Sequence, residues 1–259
     1  MNPASRINAV TEAFLPLAHG EQQVVGWNKW LSSNGASVSE DTVMLALRGI
    51  RKEIKILESR LKNLGVPEEL FKDTLHGLNQ AFQSAYLHRH WGDIHSKVTA
   101  ADVRANLAWM GWVLNKLDEN DIDESAMTAL LQAIAEQDAF LKENELPDGL
   151  RELLESQIEE LRIALMLYRV NGVQPIVDAV NKQSGEMRNA SKELVAETTA
   201  AGPEAQGAVT RGMELISKAA KVADSGLKVV KFGKELYELG ASGYAMFGQL
   251  LLSSPASGS

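Results

Sequence analysis

The chain has 259 residues, no cysteine and a formal net charge of −8, and 45% of its residues are hydrophobic. This composition is close to that of ordinary globular proteins and argues against a disordered or collagen-like chain. Without cysteine, a disulfide scaffold, a thiol nucleophile and a thiolate zinc site are excluded. The net acidity also disfavours nucleic-acid binding, because neutralising phosphates requires a basic surface.

The amino-terminal sequence and the hydropathy predict a cytoplasmic location. Residues 1–7 contain no basic region followed by an apolar stretch, so we expect no signal peptide. No uninterrupted apolar run approaches the roughly 20 residues of a membrane-spanning helix. Peripheral attachment to a membrane is the alternative that the sequence leaves open.

Helical spacing dominates the first third of the chain. Two short helices are predicted before Pro16 and before residues 32–35, and a longer helix follows them. Ser39 can cap the start of the long helix, and Gly65 with Pro67 can end it. The apolar residues of these helices are Ile7, Val10 and Phe14; Val24, Trp27 and Leu31; and Val43, Leu47, Ile50, Ile54, Leu57, Leu61 and Leu64. The long stripe is typical of a helix in an intramolecular bundle, with an intermolecular coiled coil as the alternative.

Further helices are predicted to begin near residues 67, 99, 123, 147, 174, 203 and 226. Pro67 occupies a first helical position and begins a second long helix. Thr99 and Asp123 can cap the next two helices. Asn171-Gly172 ends the helix that begins at 147. Their apolar stripes are Val103, Leu107, Met110, Leu114 and Leu117; Met127, Leu131, Ile134 and Leu141; and Leu150, Leu154, Ile158, Leu161, Leu165 and Tyr168. Trp109 and Trp112 lie next to such a stripe and are predicted to be packing residues.

These elements predict an all-α fold, an antiparallel multi-helix bundle with a C-terminal amphipathic helical pair. We assign residues 1–172 to the bundle, 173–202 to a polar connecting helix, and 203–259 to the helical pair and a mobile tail. Large apolar side chains are sparse between residues 178 and 207, so the connecting helix is expected to pack weakly. Gly202-Pro203 is the strongest boundary signal in the chain.

Charge is distributed unevenly along the chain. Residues 116–169 contain fourteen acidic and five basic residues, a net charge of −9, whereas residues 211–234 contain six basic and two acidic residues. Two solvated helix faces would explain this pattern. Attraction of the basic segment to the acidic middle of the chain, or to an anionic lipid surface, is the functional alternative.

The C-terminal segment combines these lysines with an apolar face. Glycines at 240, 243 and 248 lie among large apolar residues and are typical of close helix–helix approach or of contact with lipid. An interfacial amphipathic helix and a helix docked on the bundle are both consistent with this pattern. The predicted interaction residues are Lys218, Lys221, Lys228, Val229, Lys231, Phe232, Lys234, Leu236, Leu239, Met246 and Leu250.

One histidine cluster is a weak candidate for metal binding, by His88, His90, Asp93 and His95. Imidazole and carboxylate ligands suit zinc or iron. However, residues two apart on a helix point to different faces, so His88 and His90 could share a metal only across a break such as Gly92. We therefore assign no metal, cofactor or catalytic residue.

The sequence favours a non-enzymatic interaction or regulatory protein. Its C-terminal basic amphipathic segment would engage a partner protein, a second copy of the chain or an anionic membrane surface. The alternative is a membrane-perturbing, pore-forming helical effector of a toxin or antiviral defence system. A metal-dependent enzyme that uses the histidine cluster is the third hypothesis.

Overall fold

The computed structural model describes residues 1–32, 38–115, 122–189, 198 and 200–226. Across these ranges the chain forms α-helices and short 3₁₀ turns, with one isolated bridge between Gln22 and His90 and no β-strand. The predicted all-α fold is therefore confirmed. Internal contacts divide the chain into two compact units, Met1–Glu119 with Met166–Gly172 and Asn120–Leu165 with Val173–Ser259.

The described residues of unit one form six α-helices and the end of a seventh. Their bounds are α1 Pro3–Phe14, α2 Gln23–Leu31, α3 Glu40–Asn63, α4 Lys72–Ala81, α5 His95–Thr99 and α6 Ala101–Val113. Helix α1 packs against α3 and α6. The ring of Phe14 contacts the rings of Trp27, Phe82 and Trp91 at centroid distances of 5.2, 6.4 and 5.1 Å. This aromatic cluster forms much of the core of the unit.

Two predicted boundary signals of α3 are confirmed. The Ser39 hydroxyl accepts a hydrogen bond from the backbone N–H of Thr42 at 3.1 Å, which satisfies a donor at the helix start. Gly65 follows the helix with φ of +74°, a conformation that favours glycine.

Two other helix predictions are wrong. Pro67 does not begin a long helix: a 3₁₀ turn covers Glu68–Leu70, and α4 then begins at Lys72. Helix α4 ends at Ala81, and Phe82 follows it in a non-helical conformation with its ring in the aromatic core. Thr99 does not cap a helix start either, since it is the last residue of α5 and its hydroxyl hydrogen-bonds within that turn.

The other helices that the structure describes belong to unit two. Their bounds are α7 Glu124–Glu143, α8 Asp148–Asn171, α9 Gln174–Asn189 and α10 Pro203–Gly226, with the last residues of α8 belonging to unit one. The carboxylate of Asp123 accepts from the N–H of Ser125 at 3.0 Å, so the predicted cap of α7 is confirmed. Gly172 follows α8 with φ of +63°, and Gly202 precedes α10 with φ of +93°. Helix α10 packs against α7 and α9.

The buried face of α7 differs from the predicted stripe. Leu131 is 42% exposed and Met127 is half-buried, whereas Leu130 and Gln137 are buried beside Ile134. Helix α9 buries more than its polar composition predicts, because Ile176, Val177, Val180 and Gln183 all turn inward. Over the described residues, no helix is both long enough and apolar enough to cross a bilayer.

The two units do not coincide with the predicted division at residues 172 and 202. Residues 120–165 group with the chain that follows Val173, and the end of α8 groups with the first 119 residues. The predicted domain boundaries stay a prediction. The antiparallel arrangement also stays a prediction, and residues 227–259 lie outside the described part of the chain.

Candidate interaction surface at helix α10

Helix α10 is the part of the predicted C-terminal interaction segment that the structure describes. Its buried face repeats every three or four residues and consists largely of small side chains. The buried residues are Ala205, Ala208, Val209, Gly212, Leu215, Ile216, Ala219, Val222, Ala223 and Gly226. Alanine sustains a helix while keeping its surface flat, so neighbouring helices can approach this face closely.

Helix α10 comes closest to neighbouring residues at two of its glycines. A Cβ atom at Gly212 would lie 2.7 Å from Cδ2 of Leu154 and 3.1 Å from Oε1 of Gln157, both on α8. A Cβ atom at Gly226 would lie 3.0 Å from Cβ of Val173. Neighbouring side chains therefore occupy the space beside both glycines, and α10 is docked in unit two. Close approach was predicted from the sequence only at glycines further along the chain, and these two were missed.

Three buried glutamines lie in the same unit. Gln137, Gln157 and Gln183 are 2%, 1% and 0% exposed. Nε2 of Gln183 donates to the carbonyl of Gln157 at 2.9 Å, and Nε2 of Gln137 donates to the carbonyl of Ala208 on α10 at 3.4 Å. We call these three residues the glutamine layer.

Several amide atoms of the glutamine layer have no hydrogen-bond partner among the residues that the structure describes. They are Oε1 of Gln137, Oε1 and Nε2 of Gln157, and Oε1 of Gln183. An unsatisfied buried polar group costs about 1–3 kcal/mol. The layer therefore weakens a core that apolar side chains of the same volume would stabilise. Hydropathy patterns cannot reveal this layer, because glutamine is usually a surface residue.

The first basic residue of the C-terminal segment contacts the acidic middle of the chain. The guanidinium of Arg211 on α10 lies 4.3 Å from the ring centroid of Phe140 on α7. On α7, Asp138 is paired with Lys142 at 2.8 Å and Arg162 at 3.2 Å. The hydrogen bond from Lys142 is the main cause that lowers the pKa of Asp138, and Arg162 lowers it further. Part of the negative charge of this region is thus already paired.

The outward side of α10 carries the two described lysines of the predicted interaction set. Lys221 is exposed and Lys218 is half-buried. Neither forms an ion pair with another described residue. The other nine predicted interaction residues, from Lys228 to Leu250, lie outside the described residues.

The four candidate metal ligands have separate partners or none. Nε2 of His88 lies 3.0 Å from Oε1 of Glu40, Nδ1 of His90 lies 2.9 Å from the carbonyl of Gly20, and Nε2 of His95 lies 3.0 Å from Oγ1 of Thr99. Asp93 is exposed. Among the described residues, no three histidine, aspartate or glutamate side chains form a group suited to a metal ion. The predicted cluster therefore does not form a common site.

His95 has a different neighbour, which its sequence context did not predict. Its ring lies 4.4 Å, centroid to centroid, from the ring of His19, and 6.0 Å from that of the buried Trp91. Burial is the main cause that lowers the pKa of His95, and the positive charge that His19 can carry lowers it further.

The geometry around α10 suits a helix–helix contact. Its inner face is closely packed but bordered by amides that lack a partner among the described residues, and its outer face presents Lys218 and Lys221, which form no ion pair with a described residue. No family model, curated protein or solved structure matches this chain.

Proposed function

We propose that this chain is a non-enzymatic interaction or regulatory protein whose working surface is α10 with the segment that follows it, residues 203–252. This basic amphipathic segment would engage a partner protein or an anionic membrane surface. The observation that carries the proposal is how α10 packs in unit two. It contacts α8 closely at Gly212, but the same unit contains the glutamine layer, whose amide atoms lack hydrogen-bond partners among the described residues.

The glutamine layer supports a reversible contact. Each unpartnered amide atom gains hydrogen bonds with water when α10 separates from unit two, and this gain offsets part of the lost apolar contact. A partner that binds the separated helix shifts the population toward that state by its differential affinity. Regulation would then consist of a change between docked and released α10.

The outward charges indicate the chemistry of the partner. Lys218 and Lys221 are close enough to act together, since residues three apart are neighbours on a helix surface. Acidic protein surfaces and anionic headgroups both attract such a pair, and salt weakens the attraction. The predicted apolar residues between Val229 and Leu250 would add contact area beyond α10.

A disulfide lock tests the proposal. The chain has no cysteine, and a Cβ at Gly226 would lie 3.0 Å from Cβ of Val173, a few tenths of an ångström short of the roughly 3.5–4.5 Å that a disulfide needs. In a Val173→Cys/Gly226→Cys variant, oxidation should hold the end of α10 in place. We expect the reduced form to bind and the oxidised form to lose at least tenfold in affinity.

Binding is measured with two probes, vesicles that contain phosphatidylglycerol and affinity capture of proteins from a cell lysate. The single variants Val173→Cys and Gly226→Cys are the matched controls, because neither can form the intramolecular bond. Equal binding by oxidised and reduced forms with both probes would refute release of α10 as the functional event.

A membrane-perturbing effector is a second candidate, favoured by the spacing of small residues on α10. Ala208 with Gly212, and Ala219 with Ala223, lie four residues apart on its buried face, a spacing that promotes helix association in lipid. Dye release from anionic vesicles would favour this candidate. Binding to such vesicles without leakage would count against it.

A further inference from the structure

Helix α3 in unit one carries a cluster of cations on its outer side. Four of its residues lie at positions i, i+3, i+4 and i+7, so each side chain has two of the others as neighbours on the helix surface. We call them the basic face: Arg48, Arg51, Lys52 and Lys55. Three of them are exposed, and Arg51 is half-buried beside α4, where its Nε donates to Oδ1 of Asn79 at 3.2 Å.

The four cations of the basic face have no carboxylate partner among the described residues. The neighbouring acids of α3 are already engaged, because Glu53 is buried against Arg6, and Oε1 of Glu58 lies 2.9 Å from Nζ of Lys62. Like charges three or four residues apart destabilise a helix, so the basic face costs stability in the single chain. An anionic surface brought by another molecule would remove that cost.

Helix α8 carries the opposite arrangement in unit two. Four carboxylates lie along one side of the helix at steps of four, three and four. We call them the acidic face: Asp148, Glu152, Glu155 and Glu159. All four are exposed, and only Glu155 has an ion pair among the described residues, a long contact of 3.6 Å with Arg151. By contrast, the adjacent Glu160 is paired with Lys182.

The two faces are complementary in charge and in spacing. The exposed cations of the basic face are separated by steps of four and three, and the acidic face contains the same two steps when α8 is followed backwards. Two antiparallel helices therefore bring three cations opposite three carboxylates: Arg48 with Glu159, Lys52 with Glu155, and Lys55 with Glu152. Residues 116–169 have a net charge of −9, so the surroundings of the acidic face also attract a cationic surface from a distance.

We infer that the basic face of α3 docks on the acidic face of α8 in a second copy of this chain. The interface is heterologous, and a pair joined in this way still has one basic and one acidic face free for further copies. An exposed ion pair changes an association constant by no more than about fivefold, so the assembly is weak and reversible. It uses neither α10 nor the segment that follows it, and it is therefore tested independently of the proposed function.

Sedimentation velocity of the full chain between about 10 μM and 1 mM tests the association. At about 50 mM salt, the average sedimentation coefficient should rise with protein concentration. At about 500 mM salt it should stay close to the monomer value, because salt screens exposed charges. A monomer at every concentration, or an assembly that salt does not weaken, overturns the inference.

Charge reversal on either face tests which surfaces associate. The α3-reversed chain carries Lys52→Glu and Lys55→Glu, and the α8-reversed chain carries Glu152→Lys and Glu159→Lys. Each reversal turns two attractive pairs into repulsive ones and should lower the association constant at least tenfold. Circular dichroism establishes that both chains are folded, as substitutions at exposed positions allow. Unchanged association in either chain overturns the inference.

Lys218→Glu/Lys221→Glu on α10 is the matched control for the α3-reversed chain. It makes the same change in net charge, and its two lysines also form no ion pair with a described residue. It should leave the association constant unchanged. An association that this control weakens and the α3-reversed chain does not would assign the contact to α10 and overturn the inference.

An exchange of charges tests the pairing itself. Neither reversed chain can pair with its own copies, but in an equal mixture the acidic α3 of one chain meets the basic α8 of the other. The mixture should therefore recover the association, and so should a single chain that carries all four reversals. If neither recovers it, the two faces do not contact each other and the inference fails.

An anionic membrane is the competing occupant of the basic face, since clustered lysines and arginines also attract acidic headgroups. The full chain and the α3-reversed chain are therefore compared in co-sedimentation with vesicles that contain phosphatidylglycerol. Vesicle binding that the α3-reversed chain loses, by a protein that stays monomeric without lipid, overturns the second copy in favour of a membrane. Association without lipid that the α3 reversal abolishes supports the second copy.

Discussion

Arg6 and Glu53 form a buried ion pair between α1 and α3. Both side chains are 3% exposed, and Oε2 of Glu53 accepts from Nη2 of Arg6 at 2.6 Å and from Nε at 3.0 Å. Nη1 of Arg6 also donates to the carbonyl of Met1 at 2.8 Å, and Nδ2 of Asn171 lies 3.5 Å from Oε1 of Glu53. This network ties together the chain start, α1, α3 and the end of α8.

Removing one partner of this pair should be strongly destabilising. Arg6→Met leaves the Glu53 carboxylate buried without its main counter-charge, and we expect a loss of about 3–5 kcal/mol in the free energy of unfolding. Urea unfolding followed by circular dichroism measures it. The double variant Arg6→Met/Glu53→Leu replaces both charges with apolar groups and should recover most of the loss. A double variant as unstable as Arg6→Met would contradict this account.

Two glycines of α10 should respond in opposite directions to alanine. A Cβ atom at Gly207 would meet no heavy atom of a neighbouring group within 4 Å, so Gly207→Ala should stabilise by about 0.5–1 kcal/mol through helix propensity. Gly212→Ala pushes against Leu154 and Gln157 and should destabilise by about 1–3 kcal/mol. Thermal unfolding of both variants provides the comparison. Equal effects would mean that α10 does not dock on α8 at Gly212.

An apolar substitution in the glutamine layer should stabilise the protein. Gln157→Met keeps a similar volume and removes two buried amide atoms that lack partners, so we expect a gain of about 1–3 kcal/mol. The backbone carbonyl of residue 157 still accepts from Gln183, so that contact remains. Urea unfolding measures the gain. If α10 is released in function, the same variant should also bind its partner more weakly, because the docked state is favoured.

Acidification should destabilise the protein through His95. Burial and the neighbouring His19 lower the pKa of His95 below its ordinary value of 6.5, so the unfolded chain binds a proton that the native chain resists. The contribution of neutral His95 to the free energy of unfolding is therefore complete above pH 6.5. It is lost as the pH falls toward the lowered pKa of His95. His95→Gln should flatten the decline in melting temperature between pH 7 and pH 5. An identical pH profile in the variant would refute this role.

Local signals in the sequence predicted helix ends well. Ser39 and Asp123 cap α3 and α7 as their side-chain chemistry requires, and Gly65 and Gly172 adopt the positive φ that ends a helix. Such signals act within one helical turn, so the residues next to each helix end in the sequence are enough to recognise them. The long helix predicted from Pro67 is instead a 3₁₀ turn and the ten-residue α4, followed by Phe82, whose ring contacts Phe14 of a distant helix, a contact that local signals do not contain.

The candidate site was predicted less completely, because the spacing of apolar residues does not show which face of a helix packs against the rest of the protein. Trp112 was predicted to be a packing residue but is 76% exposed, since both sides of α6 have apolar residues at helical spacing. The buried glutamines and the Arg6–Glu53 pair carry polar side chains that pattern analysis assigns to the surface. Their positions depend on neighbours more than twenty residues away in the sequence.

The end of α8 also sets an order for synthesis on the ribosome. Asn171 donates to the carbonyl of Gly49, and its side chain occupies the space that a Cβ at Gly49 would need. Arg169 donates to the carbonyl of Trp30 and lies over its ring. At roughly 5–20 residues per second, about 3–10 s pass between translation of residue 119 and translation of Asn171. During that interval the carbonyls of Trp30 and Gly49 lack the donors that Arg169 and Asn171 provide, so this part of unit one completes its contacts only after α8 has been synthesised.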